Sequence, residues 1–162
     1  MPPLLRIPLE RRLPHAADDV YAWCTDFRPD DTDRSGGLIR GREILERSGD
    51  RIRMISTING PHGVLRRVQE VRLEPEARRW HVRIVDGDGV GSRHVYQVSP
   101  LPNGGSRLRI RFGYASPGWG AYLRSRRQRA AMRGYLNRLW DRFVEEMGRE
   151  LAAVSAPRVA VG

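Results

Sequence analysis

The apolar positions of this chain follow two different periods, and the changes between them mark out its elements. Leu5, Ile7 and Leu9 alternate with Arg6 and Glu10, and Leu13 keeps the same phase. A period of two predicts a strand over roughly residues 4–12, and Pro14 stops it. From Ala16 to Phe27 the spacing turns to three and four. Val20, Trp23, Cys24 and Phe27 share one helical face, and Asp18 and Asp19 sit in the first turn, where they suit the helix dipole. Residues 28–37, RPDDTDRSGG, hold no large apolar side chain and read as a solvated acidic loop.

The period of two then returns for about 75 residues. It predicts strands near 38–47, 51–58, 64–74, 79–85, 92–99 and 106–114. Between them lie Ser48-Gly49-Asp50, Asn59-Gly60-Pro61, Glu74-Pro75-Glu76, Asp86-Gly87-Asp88-Gly89 and Pro102-Asn103-Gly104-Gly105. Such clusters close hairpins, so six consecutive strands make an antiparallel meander. Ser116-Pro117-Gly118 breaks the pattern again. From about 120 to 153 the period is helical: Met132, Leu136, Leu139, Trp140, Phe143, Met147 and Leu151 form one apolar stripe. A helix of about 30 residues spans roughly 45 Å, and no other element is long enough to cover the apolar face of the sheet. The expected architecture is α+β: a curved antiparallel sheet of about seven strands wrapped around a long C-terminal helix. It occupies residues 1–154 as one domain, with 155–162 as a short tail.

This layout resembles the START/Bet v 1-like helix-grip superfamily, including its polyketide cyclase/dehydrase and lipid-transport group. The resemblance is carried by the opening strand running into Ala17-Asp18-Asp19-Val20-Tyr21-Ala22-Trp23-Cys24-Thr25-Asp26-Phe27. Gly49-Asp50-Arg51-Ile52 and the closing Leu136-x-x-Leu139-Trp140-x-x-Phe143 stripe add to it. One departure is the acidic, Gly-ended segment 28–37, which leaves little room for a well-formed second helix. The resemblance implies a cavity between sheet and long helix that binds an apolar or aromatic small molecule. Some members act on bound polyketides and others are carriers or sensors, and fold alone does not choose among them.

Strand parity supplies the lining of such a cavity. Ile52, Met54, Ser56 and Ile58 share one face; Trp80, Val82 and Ile84 another; Leu108, Ile110, Phe112 and Tyr114 a third. The opposite phases carry Arg51, Arg53, Arg79, Arg83, Arg107, Arg109 and Arg111, which should be solvated. Two strands are ambiguous. His94, Tyr96 and Val98 compete with Val95 and Gln97, and the phase of Leu65, Gln69, Val71 and Leu73 is broken by Arg67. Tyr135, Leu136 and Trp140 represent the helix. The candidate ligand-binding residues are therefore Met54, Ser56, Ile58, Gln69, Trp80, Val82, Tyr96, Phe112, Tyr114, Tyr135, Leu136 and Trp140. Ser56, Gln69, Tyr96, Tyr114 and Tyr135 are polar tips among apolar neighbours. They either orient a ligand or find backbone partners inside a core.

Composition narrows the picture. All 29 basic residues are arginine, against 19 acidic ones, for a formal charge of +10. Complete exclusion of lysine points to a GC-rich coding sequence, which weakens the link between high charge and a polyanionic partner. The field still attracts anions. The densest run is Arg124-Ser-Arg-Arg-Gln-Arg129. It reads as a solvated helix start, with contact to an anionic surface left open and nucleic acid disfavoured by the lack of a recognition helix. No apolar run reaches the roughly 18 residues of a membrane span. Residues 1–9 lack the apolar stretch of a secretory signal, so the expected compartment is the cytoplasm.

Several motifs do not carry their usual chemistry. Asp31-x-Asp33-x-Ser35-Gly36 opens like a calcium loop, but the twelfth position holds Arg42 where a bidentate Glu is needed. Gly87-x-Gly89-x-Gly91 sits between strands and reads as a hairpin turn rather than a dinucleotide loop. His15, His62, His81 and His94 lack metal-ligand spacing. A pairing of His81 with His94 across a hairpin, near Tyr96 and Glu70, would make a general acid–base group. Cys24, on an apolar helix face, reads as a small core residue. No cofactor or metal is expected, and the chain is a monomer or homodimer. The leading expectation is a non-catalytic carrier or sensor of a hydrophobic small molecule. A cyclase/aromatase-type enzyme and a basic binder of nucleic acid or anionic surfaces are the alternatives.

Overall fold

A computed structural model describes residues 4–60, 63–115 and 119–155, with side chains of the last helix from residue 129 onward. Strand β1 (Leu4–Leu13) leads into helix α1 (Ala17–Thr25) and the four-residue helix α2 (Asp31–Arg34). Six strands follow: β2 (Ile39–Ser48), β3 (Arg51–Gly60), β4 (Gly63–Glu74), β5 (Arg79–Gly87), β6 (Arg93–Pro100) and β7 (Ser106–Ala115). A 3-10 turn at Pro75–Ala77 joins β4 to β5, and helix α3 (Trp119–Ser155) ends the chain. At 37 residues, α3 is roughly 55 Å long.

The sheet order is β1-β7-β6-β5-β4-β3-β2. The meander runs in sequence order, and β1 pairs with β7 from Leu4↔Ala115 to Leu13↔Ser106. Every pairing is antiparallel. The result is the α+β helix grip that the pattern predicts, with element ends shifted by one or two residues. Ile7, Met54, Ile84, Leu108 and Ile110 are almost completely buried on the inner face, with Leu136, Trp140 and Met147 of α3 in the same apolar cluster. On the outer face Arg51, Arg53, Arg83, Arg109 and Arg111 are exposed. The ambiguous strand β6 resolves with His94 and Val98 buried, because Val82↔His94 and Val98↔Leu108 are cross-strand pairs.

Two expectations need correction. The segment 28–37 is neither a plain loop nor wholly solvated. Backbone bonds from Ser35 N to Asp31 O and from Gly37 N to Thr32 O, both 3.0 Å, wind it into one helical turn. Gly36 and Gly37 end that turn at φ +62° and +80°. Asp31 and Arg34 are buried within it, because opposite charges on one helical face neutralise each other. Second, His81 and His94 do not pair. The register His81↔Val95 and Val82↔His94 sets them on opposite faces. His81 Nε2 lies 3.3 Å from Glu74 outside, and Glu70 also lies outside, bound to Arg83 at 2.7 Å. His62, the Ser116-Pro117-Gly118 break, the side chains of Arg124, Arg126 and Arg127, and residues 156–162 lie outside the described residues. No described helix is long and apolar enough to cross a membrane.

Candidate functional site

Because β2 to β7 curve around α3, their inner faces and the helix do not meet everywhere. Between them lies a cavity of about 330 Å³. All twelve residues singled out from strand and helix parity line it: Met54, Ser56, Ile58, Gln69, Trp80, Val82, Tyr96, Phe112, Tyr114, Tyr135, Leu136 and Trp140.

Its walls are largely aromatic. Trp80 and Tyr96 are direct cross-strand partners, and their rings stack at 4.8 Å with planes 2° apart. Tyr96 meets the edge of Phe112 at 5.9 Å and lies 6.0 Å from Trp140. Phe112 stacks on Tyr114 at 6.1 Å, and His94 lies 5.1 Å from both of those rings. On the far side Trp140 contacts Phe143, which contacts Trp23 of α1. Offset and edge-to-face pairs of this kind add about 0.5–1.5 kcal/mol each beyond burial, so the wall is stiff before anything enters.

Polar groups are the minority of the lining. The Ser56 hydroxyl donates to Gln69 Oε1 at 2.7 Å, which pairs that hydroxyl and that carbonyl within the wall. Burial pushes the Tyr96 and Tyr114 hydroxyls, and to a lesser degree Tyr135, above the usual phenol range. All three keep their protons at neutral pH. Burial holds His94 down to about 3, so its imidazole is neutral. The His94 Nδ1 and the Tyr135 hydroxyl are buried without a hydrogen-bond partner. Cys24 also lines the cavity, and burial raises its thiol far above neutrality, so it is not an activated nucleophile.

Parity missed two cationic lining residues, Arg42 of β2 and Arg67 of β4. Arg67 carries a signal in the sequence: it interrupts an otherwise inward phase, and the structure keeps it inward. Arg42 carries none, because the irregular register of β2 against β3 between Ile39 and Gly41 scrambles its alternation. Arg42 pairs with Asp31 and lies 5.4 Å from the Phe27 ring. Burial lowers its guanidinium to about 10, which still leaves it charged at neutral pH. Trp23 and Cys24 from α1, Phe27 just beyond its end, and Met132, Leu139 and Phe143 from α3 complete the apolar lining. Their helical spacing was legible, although core packing alone would have required the same spacing.

One end of the cavity is held by a charge network. Arg34, 3% exposed, bonds Glu150 of α3 at 2.6 and 2.9 Å, Asp26 at 3.2 Å and Asp31 at 3.2 Å. Its guanidinium also lies 4.5 Å over the Trp23 ring, whose Nε1 donates to Glu150 at 3.0 Å. The hydrogen bond from Arg34 lowers the Glu150 carboxyl, whereas burial raises that of Asp26. Among the described residues no three His, Cys, Asp or Glu converge as a metal site.

No protein-family model matches the chain, and no curated protein does either. Solved structures do. The chain is similar to TTHA0849 from Thermus thermophilus (TM-score 0.75, 21% identity, 92% of this chain and 99% of that one). It is similar to a START superfamily protein from Mycobacterium smegmatis (0.72, 13%, 89% and 97%). It is also similar to the Zhui aromatase/cyclase from a Streptomyces species (0.79, 14%, 98% and 99%). At 13–21% identity these likenesses establish the fold.

Proposed function

From a chain with the START/Bet v 1-like helix-grip fold, we propose a protein that binds an apolar or aromatic small molecule between its sheet and α3, as a carrier or sensor. The observation that carries this reading is the cavity itself: about 330 Å³ of space walled mainly by stacked aromatics and aliphatics, with a minority of polar groups. A core without a ligand function closes to near-crystalline density, and small-molecule sites have this size and composition. The neutral fluorophore N-phenyl-1-naphthylamine tests it. Saturable binding with a blue-shifted emission is expected, and Met132→Trp, which fills the cavity from α3, should abolish it. No saturable binding, or binding that ignores Met132→Trp, overturns the reading.

A second reading, a ring-closing enzyme, is favoured by one observation: His94 and Tyr114 converge at 5.1 Å on the same cavity. A neutral imidazole beside protonated phenols supplies hydrogen bonds that hold a bound poly-ketone in a folded shape, and orientation alone supplies much of the rate of ring closure. Turnover of a linear poly-β-ketone by the wild type, abolished by His94→Ala or Tyr114→Phe without unfolding, would support it. Binding without turnover would leave the carrier.

A further inference from the structure

The cavity's two cations are not equivalent. Arg42 is neutralised by Asp31. Arg67, set by the register Ser56↔Arg67 on the inner face of the sheet, has no carboxylate within ion-pair distance among the described residues; its Nε, like that of Arg42, is buried without a hydrogen-bond partner. The acidic groups of the lining are engaged elsewhere. Asp26 and Asp31 bind Arg34 at 3.2 Å, and Asp88 Oδ2 accepts from the Arg66 backbone N–H at 2.8 Å. Arg67 lines the same cavity as His94, Tyr96, Tyr114 and Tyr135, so one guanidinium shares that space with three hydroxyls and an imidazole. Two of these groups, His94 Nδ1 and the Tyr135 hydroxyl, are themselves unpartnered.

This is an arrangement of donors around a positive charge that lacks its counter-ion. A neutral apolar ligand would strip water from Arg67 and return nothing, and leaving a charged group desolvated and unpaired is costly. A ligand with one negative group restores the pair, and the phenols add hydrogen bonds to the same oxygens. We propose that the cavity selects an acid: an apolar or aromatic body bearing one carboxylate-type anion that pairs with Arg67. The proposal rests on the small-molecule reading above and adds the charge of the ligand to it.

Two probes differing only in that charge test it: N-phenyl-1-naphthylamine and 8-anilino-1-naphthalenesulfonate, which adds one sulfonate to the same rings. The wild type should hold the anion at least about tenfold more tightly, the scale of one charge-assisted hydrogen bond. Arg67→Met should weaken the anion more than the neutral probe and bring the ratio within about twofold, while Arg67→Lys should keep most of it. The double substitution Arg83→Gln with Arg93→Gln, on the outer face, should leave the ratio intact. The salt dependence of the wild-type ratio decides without any variant. A pair formed inside the cavity survives about 1 M salt, whereas attraction to the arginine-rich exterior is screened away. Equal affinities in the wild type, a ratio that survives Arg67→Met, or one that collapses in salt overturns the acidic ligand and leaves the cavity reading standing. Binding of neither probe overturns that reading as well.

Discussion

Arg34 and Glu150 are 116 positions apart in the chain, yet two nitrogens of one guanidinium reach the two oxygens of one carboxylate at 2.9 and 2.6 Å. This bidentate contact ties the four-residue helix α2 to the C-terminal half of α3. Asp26 and Asp31 share the same guanidinium. Removing the cation takes the buried partner from Asp26 and the bidentate partner from Glu150, while Asp31 keeps Arg42. Arg34→Met should therefore cost about 3 kcal/mol. Glu150→Gln should cost less, because Arg34 keeps two acids. Urea denaturation of both variants checks the order, and a loss below about 0.5 kcal/mol for Arg34→Met would show that the network does not hold the fold together.

His94 gives the fold an acid sensitivity. Burial depresses its pKa to about 3 in the folded state, against about 6.5 in an unfolded chain. Between those values the unfolded chain binds a proton that the folded one does not, so stability falls as pH falls through that window. It is fully present above about 6.5. The slope from this group is at most about 1.4 kcal/mol per pH unit. Thermal melts from neutral pH downward should show a steeper loss in the wild type than in His94→Phe. Parallel slopes would mean that other groups dominate.

Two glycines in left-handed backbone separate torsional strain from steric strain. Gly87 has φ +80°, and a Cβ there would collide with the Arg66 carbonyl oxygen. Gly104 has φ +83° with nothing within 4 Å of the same added atom. Gly104→Ala should cost about 1–2 kcal/mol, the torsional cost alone. Gly87→Ala should cost clearly more, because the clash is with backbone of β4, which cannot rotate away. Melting temperatures of the two variants rank them directly.

Leu108 and Leu139 distinguish core from cavity wall. Leu108 is fully buried on β7, outside the cavity, so Leu108→Ala should lose about 2–5 kcal/mol and leave the affinity for N-phenyl-1-naphthylamine unchanged. Leu139 is half-buried and already faces open space. Leu139→Ala should cost less stability and change probe affinity. The reverse result would place the wall elsewhere.

The inner lining was legible because a β-strand alternates strictly. Once Arg51, Arg53, Arg83, Arg109 and Arg111 are given to water, Met54, Ser56, Val82 and Phe112 must turn inward, and they do. The helical stripe placed Leu136 and Trp140 by the same logic at a different period. Arg67 was visible only as an interruption of its strand, since periodicity records polarity and cannot say whether an inward charge has a partner. Arg42 was invisible because an irregularity in the β2–β3 register destroys the alternation on which the argument depends. The second helix was hidden because its two buried residues, Asp31 and Arg34, owe their burial to charges that meet only in three dimensions.

The sequence by itself therefore determined the element order, the inward faces and the helix-grip architecture, since these follow from local periods and the need to cover one apolar face. Only the tertiary structure decided that sheet and helix stand apart around a cavity and that His81 and His94 lie on opposite faces. It alone decided that Asp31 neutralises Arg42, while Arg67 has no such carboxylate among the described residues. Register and sheet curvature set those relations, and both arise from contacts between residues far apart in the chain, which no local pattern encodes.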